Sequence, residues 1–193
     1  MKKSIFAILF VSLLSFSFSL MLSTSWVLDS AHSRLGFKVL HMGISDANGA
    51  FDKVTCSVTT ANDQDFVDAT FDLTADASSI NTGLSARDNH LKSEDFFAVS
   101  QYPSINFKST SCKKIKGKKY LLTGNLSMHG ITKEVTLTAT HNGYAKNRAG
   151  IDVAGFKITG KFKRSDFSIG KDMPFTIVAD EINVEADLEV TKN

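Results

Sequence analysis

Apolar and polar residues alternate with a period of two along most of the chain that follows Trp26. The last such stretch, EINVEADLEV (181–190), is the clearest. Ile182, Val184, Ala186, Leu188 and Val190 share one parity; Glu181, Asn183, Glu185, Asp187 and Glu189 share the other. Successive side chains of a strand point to opposite faces, so this pattern predicts one buried face and one wet face. It recurs with Leu35, Phe37 and Val39, with Phe71, Leu73 and Ala75, and with Ile105 and Phe107. It recurs again with Tyr120, Leu122, Leu126 and Met128, with Val135, Leu137 and Ala139, and with Phe156, Ile158 and Phe162. The parity switches between Phe51 and Val54 and between Val153 and Phe156. Both switches predict β-bulges, with Gly155 at the second. With residues 54–60 included, about eight strands in antiparallel order are predicted, joined mostly by short turns. Pro103 and Pro174 fall outside strand interiors.

One stretch interrupts the strands. RDNHLKSEDFF (87–97) is the densest polar cluster in the chain. Ser85 and Asp88 have the S-x-x-D spacing of a capping box, in which the serine accepts from an amide and the carboxylate answers back. The pattern predicts a short helix over about residues 86–92, with Leu84 and Leu91 on one face and Phe96 and Phe97 as apolar anchors. Arg87, Asp88 and His90 are of acid–base type. Near-consecutive helical positions point in different directions, so they do not converge on one point. Structural roles are expected for Ser85, Arg87, Asp88, His90, Leu91, Phe96 and Phe97.

Eight alternating strands and one helix can close into a barrel or stack into a sandwich. Interleaved sheets leave no void, whereas an eight-stranded up-and-down barrel can hold one small ligand. Alternation alone does not choose. Meander order and long strands favour the all-β reading as an eight-stranded antiparallel up-and-down barrel with one short helix between strands.

The N-terminus has a different character. Lys2 and Lys3 precede an uncharged apolar run to about Leu22, and small residues follow at Ser23 and Ser25, with an earlier pair at Ser17 and Ser19. This reads as a secretory signal peptide over residues 1–25, followed by a single domain over 26–193. An exported, periplasmic protein is expected, with no stable membrane insertion once the signal is removed. Losing Lys2 and Lys3 takes the formal net charge from +2 to zero. A neutral domain has no electrostatic case for nucleic acid or for an anionic membrane surface. The basic run KKIKGKK (113–119), with Gly117 in its middle, is expected to be a solvated hairpin tip. Two cysteines remain, and the export route would permit a disulfide. Parity places Cys56 inward with Val54 and Val58, and Cys112 outward with Asn106, Lys108 and Thr110. Their redox state is left open.

The inward parity supplies candidate lining residues for a lumen: Phe37, Val39, Phe71, Leu73, Phe107, Leu122, Leu126, Leu137, Phe156, Ile158, Val184 and Leu188. His41 is in phase with Phe37 and Val39, so it too is expected inward, as a buried imidazole or a head-group contact. His129 precedes Gly130 and reads as turn structure. Histidines at 32, 41, 90, 129 and 141 show neither H-x-x-x-H nor H-x-H spacing, so no metal site is legible. No G-x-S-x-G elbow or phosphate loop is present. An enzyme is not expected; a hydrolase whose triad assembles only in space and a periplasmic protein-interaction module stand as alternatives.

The order of motifs resembles the YceI-like family of exported, lipocalin-like lipid-binding proteins. The resemblance lies in WVLDSAHSRLGFKVLHMGIS (26–45), GAF (49–51), SINTGLSARDNHLKSEDFFAVSQYPSINFKS (79–109), GNLSMHGITKEVTL (124–137) and FKRSDFSIG (162–170). It implies an eight-stranded barrel with a long apolar pocket that binds a polyisoprenoid or similar long-chain amphiphile in the periplasm. The expected ligand is thus a long-chain isoprenoid-type lipid, a quinone-like molecule among the candidates, with no other cofactor. The protein would carry or sequester it. An unpaired strand edge or exposed helix would permit a homodimer, which nothing in the sequence requires.

Overall fold

The structure is a computed structural model and describes residues 23–61 and 65–193. The basic head and apolar run of the expected signal peptide lie outside the described residues. The first three strands are each broken once: β1 (Thr24–Leu28 and Arg34–His41), β2 (Ser45–Phe51 and Val54–Thr60) and β3 (Thr70–Asp76 and Ile80–Asn81). Helix α1 (Ser85–Lys92) follows, then β4 (Ser104–Lys116), β5 (Lys119–Met128), β6 (Ile131–Lys146), β7 (Asp152–Lys163) and β8 (Val178–Lys192). Each strand pairs antiparallel with its neighbour in sequence. The ring closes because β1 also pairs with β8, Leu28 opposite Val190 and Phe37 opposite Val184. The result is a closed, eight-stranded, up-and-down barrel.

The breaks have local causes. After Leu28, the Asp29 carboxylate accepts from the Ala31 amide and pairs with His32 Nδ1, each at 2.9 Å. Ser33 Oγ then accepts from the Glu189 amide at 2.9 Å. At the break in β3, the Asp76 carboxylate accepts from the Ser78 amide at 2.8 Å, while Ser79 Oγ accepts from the Lys53 amide in the β2 break at 3.0 Å. Short polar side chains thus offer the backbone an alternative to the ladder, and the wall bends there.

The expected bulge at Gly155 is present: register shifts between Gly155 and Phe156 in the β6–β7 pairing. A second shift, between Ser109 and Ser111, corrects the reading of the cysteines. Thr110 is the extra residue, so Cys112 turns inward opposite Leu122 and is fully buried rather than outward. Both cysteines are buried and free.

The two ends of the barrel differ. At one, the segment around Phe66 folds inward over Trp26, Phe71 and Phe156 and closes the barrel with an aromatic floor. The Phe66 ring meets Phe156 edge-on at 4.6 Å and His141 at 5.0 Å, and Phe71 meets Phe156 at 5.3 Å. Asp65 anchors this plug by accepting from Tyr120 Oη and Lys114 Nζ, both at 2.6 Å. These partners hold the Asp65 carboxyl down at about 2, while burial first and Asp65 second push the Tyr120 phenol up to about 12. At the other end β3 stops at Asn81, and α1 with the loop to Pro103 takes its place. The outer wall is polar, with cross-strand pairs such as Lys157–Glu185 at 2.6 Å and Lys161–Glu181 at 2.7 Å. A membrane-spanning barrel would instead present an apolar outer band. No helix among the described residues is long and apolar enough to cross a membrane.

Candidate ligand-binding cavity

Between the aromatic floor and α1 lies a cavity of about 170 Å³, measured as the space open to the centre of a water-sized sphere. On that measure one water needs roughly 10–15 Å³, so on the order of a dozen methylene-sized groups fit. The walls are almost wholly apolar. Phe37 and Val39 come from β1, Leu73 from β3, Phe107 from β4, Leu122 and Leu126 from β5, Leu137 from β6, Ile158 from β7, and Val184 and Leu188 from β8; Phe71 borders the floor.

All the inward-parity candidates therefore line this space except two. His41 does not: β1 reaches the rim there, and the half-buried imidazole lies in register with Val178 and Ser45, beyond Val39, the last lining residue of the strand. Phe156 points inward but sits below the cavity, in the floor, with its ring against Phe66 and Phe71.

Helix α1 and the polar cluster of 87–97 roof the cavity. Leu91, Phe96 and Phe97 all line it, and the Phe97 ring meets Phe51 edge-on at 5.9 Å. The capping box is not formed. Leu84 is the N-cap and is exposed, and Ser85 is the first helical residue. Asp88 reaches further back, accepting from the Thr82 amide at 2.9 Å and from Thr82 Oγ1. Those bonds, the Oγ1 bond foremost, hold its carboxyl below the usual range. Arg87 closes the bracket, donating from Nε to Thr82 Oγ1 at 2.8 Å and from Nη2 to the Thr82 carbonyl at 2.9 Å. Arg87 and Asp88 thus hold the start of the roof, while the His90 ring packs edge-on against Phe96 at 4.9 Å. At the neighbouring β5–β6 turn, His129 Nδ1 is 2.9 Å from the Phe167 carbonyl oxygen, a turn role as expected.

A second missed contribution comes from the segment after β7, where Arg164, Ile169 and Val178 border the cavity. Arg164 is buried, and its five N–H groups donate to the carbonyls of Ala179, Ile169, Gly170, Met173 and Val178. Burial pulls its pKa below the ordinary guanidinium value. The fork is spent on stitching residues 164–179 into the rim, so it offers no free donor to a guest. Cys56 also faces the cavity, and burial pushes its thiol up to about 12. A thiol in that state is a small apolar wall group, not a nucleophile.

An apolar cavity with a filled floor and a helical roof has the geometry of a container. The YceI-like domain model matches residues 26–190. The chain belongs to the YceI-like family. It is 34% identical to protein YceI of Escherichia coli over 175 residues, 90% of each chain. The crystal structure of the Campylobacter jejuni YceI protein superposes with a TM-score of 0.71 at 34% identity, covering 86% of this chain and 96% of that one. A polyisoprenoid binding domain from Saccharophagus degradans superposes with a TM-score of 0.67, covering 87% and 98%; at 16% identity it shows the shared YceI fold alone.

Proposed function

We propose that the protein is an exported carrier or sequestering protein for a long-chain isoprenoid-type lipid held in the barrel interior. The observation that carries this reading is the cavity itself: apolar on every wall, closed below by aromatic rings, and bordered by one charge whose donors are all engaged. A dozen buried carbons contribute roughly 10 kcal/mol gross at about 0.8 each, before the costs of ordering protein and guest. A chain that fills the space therefore binds without strong polar contacts, and a longer chain or a head group projects at the mouth. The polyisoprenoid-binding neighbour supports the ligand class. The basic head and apolar run before Ser23 support export to the periplasm.

We read the protein as a binder rather than an enzyme. Among the described residues, the groups facing the cavity include no carboxylate or imidazole, and the Cys56 thiol is held protonated. Organic extraction of the purified protein followed by mass spectrometry tests the proposal. A co-purifying prenyl-chain lipid is expected, in about equimolar amount. Absence of any lipid, together with failure to take up a long-chain fluorescent probe, would sink it.

A further inference from the structure

Among the described residues, the floor tips Lys116-Gly117-Lys118 and Asn147-Arg148-Ala149-Gly150 have polar and charged apices, as solvated turns do, with Ile115 and Ile151 exposed beside them. At the mouth, the β1–β2 tip is Met42-Gly43-Ile44 and the turn leading into β8 is Pro174-Phe175-Thr176-Ile177. Met42 and Phe175 are each 58% exposed and Ile44 is 83% exposed. The two turns form one surface. The Met42 amide donates to the Ile177 carbonyl at 2.9 Å, and His41 is in register with Val178. The Phe175 ring is held in place by the Arg164 guanidinium, 5.0 Å from its centroid. Exposed apolar side chains scattered singly need no explanation. These are clustered on adjoining turn apices, where polar residues are the rule, and they border the mouth of an apolar cavity. Val178, which follows Ile177, and Val39, on the strand that leads to Met42, both line the interior. The apolar surface therefore runs from the outside of the rim into the cavity.

We propose that this rim is a bilayer-docking surface, which seats the mouth in the interfacial layer of a lipid membrane so that a chain passes into the cavity without crossing water. The inference rests on the carrier reading and adds how the cargo is collected. A lipid surface fits better than a protein partner. The exposed groups are protruding turn apices able to insert between head groups, not a flat or grooved face that another chain could match. The exposed charges beside them, Asp46, Lys171 and Asp172, carry both signs. Insertion is therefore driven by burial of Met42, Ile44 and Phe175 and not by attraction to anionic head groups.

Two measurements test it. The protein is sedimented with phosphatidylcholine vesicles, and uptake of cis-parinaric acid is followed once from vesicles and once from an ethanol dispersion. The variant carrying Ile44→Asp and Phe175→Asp is expected to lose at least about tenfold in vesicle-bound protein and in rate of uptake from vesicles, given the burial energy of two large apolar side chains. Its uptake from the dispersion is expected to be unchanged, which also shows that it has folded. Equal sedimentation of parent and variant, or none by the parent, overturns the proposal. So does loss of sedimentation in a variant carrying Lys116→Glu and Lys118→Glu, which would move the membrane contact to the opposite pole. If the parent fails to take up the probe from ethanol, the carrier reading falls, and sedimentation still decides the docking surface.

Discussion

Phe37 lies across the ladder from Gly49, with its ring so close to the β2 backbone that a β-carbon on Gly49 would overlap the ring's Cζ. The missing side chain is what lets the ring lie back against the wall and leaves the lumen open. Gly160 gives the same room to Leu137 across the β6–β7 ladder. Gly49→Ala is expected to push the Phe37 ring inward. Overpacking of this kind costs about 1–3 kcal/mol of stability. It should weaken long-chain probe binding about tenfold, since roughly one aromatic edge of cavity is lost. Thermal melts and a fluorescence titration read the two effects separately.

Phe156 separates packing from binding. It sits in the floor, against Phe66 and Phe71, and does not line the cavity. Phe156→Ala is expected to destabilise the fold by about 3–5 kcal/mol. Phe107→Ala, at a lining position, should change probe affinity as well as stability. Urea unfolding and probe titration of both variants check this. Equal losses of affinity would mean that the floor is part of the binding surface.

The walls were legible in the chain because most lining residues of the regular strands differ in polarity from their neighbours; Val39 beside Leu40 and Leu122 beside Leu121 are exceptions. Four features were not. Ser109, Thr110 and Ser111 show no polarity contrast, so the bulge that turns Cys112 inward leaves no mark in the alternation. Leu91, Phe96 and Phe97 sit in a polar helical stretch, where apolar residues read as local anchors; only the early end of β3 at Asn81 makes that stretch a roof. Arg164 and Ile169 lie in a segment with no period, and what recruits them is a set of backbone carbonyls that sequence does not display. Closure itself depends on the pairing of Leu28 with Val190, a contact between chain ends that alternation cannot predict.

Arg164 is expected to be intolerant of its nearest chemical substitute. A lysine carries the charge but only three donors from a single point, and it cannot reach five carbonyls spread over residues 169–179. Arg164→Lys leaves buried carbonyls without donors, at a cost of about 2–4 kcal/mol. Hydrogen exchange should show the loss concentrated in residues 164–179, with the β4–β6 ladders protected as before.

Stability should fall in two steps on acidification. Burial, the leading cause, lowers the His141 pKa from its ordinary 6.5. A depressed histidine favours the folded state fully above the unfolded pKa, and that contribution is lost as pH falls below about 6.5 towards the folded value. Asp65, held at about 2 chiefly by its bonds to Lys114 and Tyr120, contributes above its ordinary 3.8 and loses that contribution as pH falls towards 2. The first step should vanish in His141→Phe, which fits an aromatic cluster, and the second in Asp65→Asn. Denaturant midpoints measured from about pH 8 to about pH 2 (roughly the span of both transitions) separate them. A His141→Phe variant with an unchanged profile would remove the imidazole from the account.

The cysteines should remain unbridged even in an oxidising compartment. Cys56 on β2 pairs with Leu73 on β3, and Leu73 pairs with Phe107 on β4, the strand that carries Cys112. One whole strand therefore lies between the thiols. Two steps across a sheet span roughly 9.6 Å, whereas a disulfide needs Cα atoms within about 7 Å. Both thiols are pushed up to about 12, burial being the main cause, so the reactive thiolate is scarce at neutral pH. Protein purified without reductant is expected to bind no maleimide while native and two per chain in denaturant, matching the two cysteines of the sequence. Fast labelling of the native protein at one site would show that the barrel opens on the timescale of the reaction. Recovery of a bridged form would mean that β3 leaves its place between β2 and β4, and the closed ring could not then be the resting state.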